Sequence, residues 1–159
     1  MLFRLLITCF FIISCTNFKN NINDEKLEKL GLIEIKSNET YISKLIETNI
    51  KNAFDIYKTR NSREKKYVII IDVNDSIEGS LLANSIRKIE MSINYKIIEK
   101  NSNIVLVSDS FARNSLVGPI NSLFSRDQSE LNARKRLGIS ISNDLIIRLI
   151  EWASFDLET

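Results

Sequence analysis

Histidine is absent from this chain, proline occurs once, glycine four times and cysteine twice. Without histidine, the commonest general base and the commonest metal ligand are both missing. A serine or cysteine nucleophile activated by an imidazole is therefore excluded. The glycines stand apart, at positions 31, 79, 118 and 138, and build no phosphate-cradling loop. An excess of one charge is also missing: 22 Lys plus Arg against 20 Asp plus Glu leave +2, with no global signature of a nucleic-acid partner. Acidic clusters are sparse. Asn23-Asp24-Glu25 is too thin for a cation loop. Asp72 and Asp75, three apart on a strand, fall on opposite faces and share no site. These gaps predict a chain that is not an enzyme and holds neither a cofactor nor a metal. What is present is a 44% hydrophobic sequence of 159 residues, enough for one globular domain.

The longest early apolar run, Leu5 to Ile13, falls well short of the about 20 residues that span a bilayer. Preceded by Arg4, it has the layout of an export signal. It ends in Ile12-Ile13-Ser14-Cys15, followed by polar Thr16-Asn17. That is the order of a bacterial lipobox: aliphatic residue, tolerant position, small residue, cysteine. The thiol of Cys15 takes a diacylglycerol, and cleavage before it frees an amine for a third chain. More than one acyl chain gives stable anchoring, at ~0.8 kcal/mol per buried CH₂. The competing reading is an ordinary export signal with an incidental cysteine. Cys9 leaves with the signal, so the mature chain has neither a disulfide nor a free thiol.

Three regions follow: residues 1–14 as lipoprotein signal, 15–30 as lipidated N-terminus and tether with one loose helical turn, and 31–155 as a single domain. Leu32 to Lys36 reads as a first strand. Ser37, Asn38 or Thr40 could cap the helix after it. That helix sets Ile42, Leu45, Ile46, Ile50, Ala53 and Phe54 on one face, with Lys44, Glu47 and Lys51 opposite. Tyr67 to Val73 is dense in β-branched residues and reads as a strand with much of both faces covered. Ser76 to Ser85 reads as a turn or an irregular crossing. Ile89, Met91, Ile93, Tyr95 and Ile97 alternate with Lys88, Glu90, Ser92, Asn94 and Lys96, so one strand face is buried and the other polar. Asn101-Ser102-Asn103 turns the chain into a fourth strand, Ile104 to Phe111. Gly118-Pro119 lies in a loop with Leu116, Leu123 and Phe124.

A long helix closes the chain, Arg126 to Ala153. Ser125 with Gln128, or Asp127 with Glu130, has capping-box spacing. Ala133, Leu137, Ile141, Leu145 and Leu149 form one apolar row, and Ile139, Ile146, Ile150 and Ala153 a second. Gly138 inside it costs about 1 kcal/mol relative to Ala and predicts a kink or close packing. The predicted class is α+β: two helices on one face of a four-stranded mixed sheet, in the order β-α-β-β-β-α.

Two basic features are candidates for anion contact. Residues 58–66 hold Lys58, Arg60, Arg63, Lys65 and Lys66 against one acid, Glu64, and read first as a solvated loop. Arg113 sits where the fourth strand leaves the sheet, and Arg126 at the start of the last helix, where free N–H groups attract anions. Arg126 reads as an exposed side chain. Tyr95 and Trp152 read as core or rim residues.

Taken in order, these pieces resemble the LPS-assembly lipoprotein (LptE) family of the Gram-negative outer membrane. The resemblance is carried by Cys15, the strand and helix from Ile33 to Phe54, and the hairpin from Ile89 to Phe111 with Ser110-Phe111-Ala112-Arg113-Asn114 at its exit. It continues through Ser125-Arg126-Asp127-Gln128 and Asn132-Ala133-Arg134-Lys135-Arg136-Leu137 into the closing helix. It implies a plug inside an outer-membrane β-barrel protein, the two together inserting lipopolysaccharide into the outer leaflet. The expected location is the outer membrane, lipid-anchored and facing the periplasm and the barrel lumen. The resemblance also implies lipopolysaccharide contacts through basic side chains. One such position matches Arg126. A second, in the turn after the second strand, has no counterpart, because Ser76 to Ser85 holds no Lys or Arg, and its nearest substitutes are Arg87 and Lys88. The alternative is an auxiliary lipoprotein of an ABC-type lipid transporter. Thr16 in place of Asp favours the outer membrane over retention at the inner one.

Overall fold

The computed structural model describes residues 24–57, 64–79, 86–119 and 122–155. Cys15 and its lipobox, the tether up to residue 23, and the basic stretch 58–63 lie outside them. The elements are α1 (Asp24–Gly31), β1 (Ile33–Ser37), α2 (Tyr41–Asp55), β2 (Tyr67–Glu78), β3 (Arg87–Glu99), β4 (Val105–Val117) and α3 (Leu123–Ser154). The four strands form one mixed sheet in the order β1-β2-β3-β4. β1 and β2 run parallel through the α2 crossover, and β2-β3 and β3-β4 are antiparallel. The α+β class and its order stand as expected, with α1 added in front. Leu30 of α1 is 1% exposed, so the packed part begins inside the segment expected to be tether.

Period-two patterning explains the sheet. Ile69, Ile71 and Val73 of β2 and Ile89, Met91, Ile93, Tyr95 and Ile97 of β3 are all buried on one face. Ala133, Leu137, Ile141, Leu145 and Leu149 of α3, with Ile42, Ile46, Ile50 and Phe54 of α2, complete that core. Burying each large aliphatic side chain contributes roughly 1.5–3 kcal/mol, and the row on β3 makes that strand the spine of the domain. Tyr95 belongs to the core, and Trp152 is half-buried with its ring edge-on to Tyr67 at 5.2 Å. Gly138 serves close packing: a β-carbon there would lie 3.2 Å from Ile42 Cγ2, so its absence lets α2 and α3 meet.

Several local readings are decided or corrected. Thr40 is the cap of α2, its side chain accepting from the Ser43 amide at 3.2 Å. Ser122 caps α3, accepting from the Ser125 amide, so the helix starts three residues earlier than expected and neither capping box is its start. β2 extends to Glu78 and β4 to Val117, because polar residues on an uncovered face cost nothing in a strand. Leu116 is thus in a strand, not a loop. β2 is covered on one face only, and Ile70 on the other is 45% exposed. Ile139 is exposed, since the packed stripe of α3 is narrower than two full rows. Glu47, expected in solvent, is buried among Ser37, Lys44 and Lys51.

Candidate functional site

Both long helices lie on one side, and among the described residues nothing covers the other side of the sheet. Its centre is built from short polar side chains in register. Asp72, Asn94 and Ser110 form one cross-strand row, Asn74, Ser92 and Ala112 the next, and Ser76, Glu90 and Asn114 a third. Asp72 accepts from Asn38 Nδ2 at 3.2 Å and from Asn74 Nδ2 at 3.0 Å, so its carboxylate is held by neutral donors. Short polar groups make this face flat and wettable. Side chains of this kind fit against a polar wall or ordered water rather than an apolar core.

The basic candidates lie at the end of the sheet where β3 begins and α3 starts. They do not converge. Arg87 points to the helix side and pairs with Glu130 of α3, both largely buried. Arg87 Nε has no partner among the described residues. Arg126 stands one helical turn before Glu130, on the same flank of α3, and is only 9% exposed. This corrects the reading of Arg126 as an exposed side chain: the earlier helix start at Leu123 carries it past the fringe and onto the packed stripe. Lys88, next to Arg87 in sequence, points to the bare face. It lies 2.7 Å from Glu90 and 3.5 Å from Glu78. The hydrogen bond with Glu90, with the charge of Glu78 behind it, raises its pKa. Three cations at this end thus stand among three carboxylates. Around them Ile86, Leu116, Leu123 and Phe124 are exposed, so this end of the domain is amphipathic.

Three further ion pairs join α3 to the strands, and their pairing was not singled out by the sequence. Arg134 pairs with Asp75 at 2.8 Å, Arg113 with Asp144 at 2.7 Å, and Arg148 with Asp109 at 2.5 Å. These pairs pin α3 to β2 and β4. Arg148 also stacks over the Phe111 ring at 4.5 Å, and Phe111 meets Tyr95 edge-on at 6.4 Å. Burial raises the Tyr95 phenol, with the Asp109 charge adding to it. Only the strand period could have signalled any of this, by placing Asp75, Asp109 and Arg113 on the helix side. Asp72 and Asp75 do lie on opposite faces, as their spacing requires. Of the basic stretch, Glu64, Lys65 and Lys66 are described, and the Lys65 ammonium donates to the Gly31 carbonyl at 2.6 Å.

No protein-family model and no curated protein matches the sequence. The fold, however, is shared with known structures. A candidate lipoprotein from Caulobacter crescentus superimposes with a TM-score of 0.63 at 12% identity, over 80% of this chain and 94% of that one. A minor lipoprotein from Acinetobacter baumannii gives 0.57 at 10% identity, over 75% of this chain and 91% of its own. Rare lipoprotein B from Shewanella oneidensis gives 0.49 at 14% identity, over 80% and 98%. At such identities the likeness is one of architecture, and the first two structures carry it: this chain has a fold that bacterial lipoproteins use.

Proposed function

We propose that this chain is an outer-membrane lipoprotein, acylated at Cys15, that plugs a β-barrel and helps assemble it into a translocon inserting lipopolysaccharide into the outer leaflet. The observation that carries the reading is the helix-free polar sheet face. A barrel lumen is lined by polar side chains, and rows such as Asp72-Asn94-Ser110 offer it matching short donors and acceptors. The lipobox supplies the anchor, and the lipoprotein fold agrees with it. Among the described residues no helix is long and apolar enough to cross a membrane.

Lipopolysaccharide itself would meet the amphipathic end. Arg126, Arg87 and Lys88 are cations there, with Arg136 beside Leu116 and Gly118, and exposed Leu116, Leu123 and Phe124 are apolar neighbours for acyl chains. Arg87 and Lys88 would have to exchange a carboxylate for a phosphate, which makes this contact weaker than a free basic patch. The role is one of assembly and guidance, without covalent chemistry.

The test is to purify the lipidated protein in detergent and identify its stoichiometric companion. A one-to-one outer-membrane barrel is expected, together with less lipopolysaccharide at the cell surface when the chain is depleted. An ABC-type transporter as the companion, with no barrel, would overturn the reading.

A further inference from the structure

β4 is an edge strand of thirteen residues without proline or lysine, and among the described residues no strand pairs with its outer side. Edges of this length invite another strand unless blunted; the two charges of β4, Asp109 and Arg113, are each matched within the chain by Arg148 and Asp144 of α3. Read outward from Phe111, β4 is close to its own complement. Ser110 mirrors Ala112, Asp109 mirrors Arg113, and Ser108 mirrors Asn114. Two copies laid antiparallel about a two-fold axis at Phe111 would set each residue opposite its mirror partner, with the helix sides of both sheets on the same face. Asp109 of each copy would then face Arg113 of the other. Slipping the pair by two residues in either direction removes that match and sets a charged residue against Phe111.

A second observation comes from α3. Ile147 is 55% exposed, although it lies on the flank of α3 beside β4. With Phe111, Asp144 and Arg148 it lines an open groove of about 490 Å³ along that edge. Ile147 therefore sits level with the axis, where it would meet its own mate. Arg148 holds Asp109 and Asp144 holds Arg113 within each copy. Across the junction these pairs would join into an alternating row of charges.

We infer that the chain pairs with a second copy of itself, antiparallel along β4 and centred on Phe111, into one continuous eight-stranded sheet. This concerns the chain without any barrel partner and stands apart from the function proposed above. The test uses the lipidated full chain in detergent, with its protein mass measured by sedimentation at tens of micromolar. Two chains per particle are expected. Ser110 and Ala112 lie on the bare face and oppose each other across the axis, so their substitution spares the core. The double variant Ser110→Lys, Ala112→Lys should run as a single chain, and Ser110→Lys, Ala112→Glu should return to two; diluted until both are single chains, the two should melt within a few degrees of each other. Wild type running as one chain overturns the inference, because the edge then serves some other strand. Two chains in the double-lysine variant overturns it as well, because the interface then lies elsewhere.

Discussion

The Ser37 hydroxyl donates to Glu47 Oε2 at 2.6 Å, tying the end of β1 to the middle of α2. Lys51 and Lys44 reach the same carboxylate, at 2.5 and 3.2 Å. Burial alone would push the Glu47 carboxyl up. The hydrogen bonds from Lys51, Ser37 and Lys44 outweigh it and hold the group down to about 2 from an ordinary 4.5. A folded-state pKa below the unfolded one stabilises fully above the unfolded value and is lost as pH falls through the folded one. Stability should therefore decline from about pH 5 towards pH 2. Glu47→Gln should lower stability at pH 7 by about 1–3 kcal/mol and flatten that acid limb. Urea melts of both proteins across this range check it, and parallel acid limbs would refute it.

Ile93→Asp should unfold the domain or cost about 4 kcal/mol or more, because it places an unpaired charge at the centre of the spine strand. Asn94→Thr, one residue on, faces the bare side and should change stability by less than about 0.5 kcal/mol. Asn94→Asp would stand opposite Asp72 and carry a small like-charge cost besides. Thermal melts of the three compare the two faces directly.

Gly138 and Ile42 should be coupled. Gly138→Val forces its γ-methyls into α2 and should cost about 1–3 kcal/mol or more. Ile42→Ala should cost about 2–5 kcal/mol, and Gly138→Ala, whose helix-propensity gain offsets the tight contact, should stay within about 1 kcal/mol of wild type; combined they should lose less than their sum, because removing Ile42 Cγ2 opens the space the new methyl needs. Strict additivity in a double-mutant cycle would show that the two helices do not meet at this point.

Arg126→Glu is expected to destabilise, by about 1–3 kcal/mol, because it buries a carboxylate one turn from Glu130. A change in lipopolysaccharide binding by that variant would therefore mix folding with recognition. Lys88→Gln is the cleaner probe, since its side chain is partly exposed on the bare face. It should leave the melting temperature within a degree or two and weaken binding to purified lipopolysaccharide severalfold. Unchanged binding would remove Lys88 from the contact.

The alternating strand was legible because period two needs no partner to be recognised: Ile89 to Ile97 reads the same in sequence and in space. The crossover helix and the Ala133–Leu149 row were legible for the same reason, at period 3.6. Glu47 was misread because amphipathic patterning assigns a charge to solvent, while here Ser37 and two lysines form a pocket from another element. Arg126 was misread because its burial depends on where α3 begins, and Ser122 rather than Ser125 or Asp127 sets that. The pairs Arg113–Asp144 and Arg148–Asp109 join residues too far apart in the chain for any local pattern to link them.

The chain enters the sheet where α1 meets β1, and Arg87 and Arg126 lie at the opposite end. Thirteen residues of β3 rise about 43 Å at ~3.3 Å each. The hydrocarbon layer of a bilayer is only ~30 Å thick. The sheet is therefore longer than the membrane core is thick. Under the anchoring proposed above, at the level of one leaflet, that length would carry the amphipathic end level with the headgroups of the other.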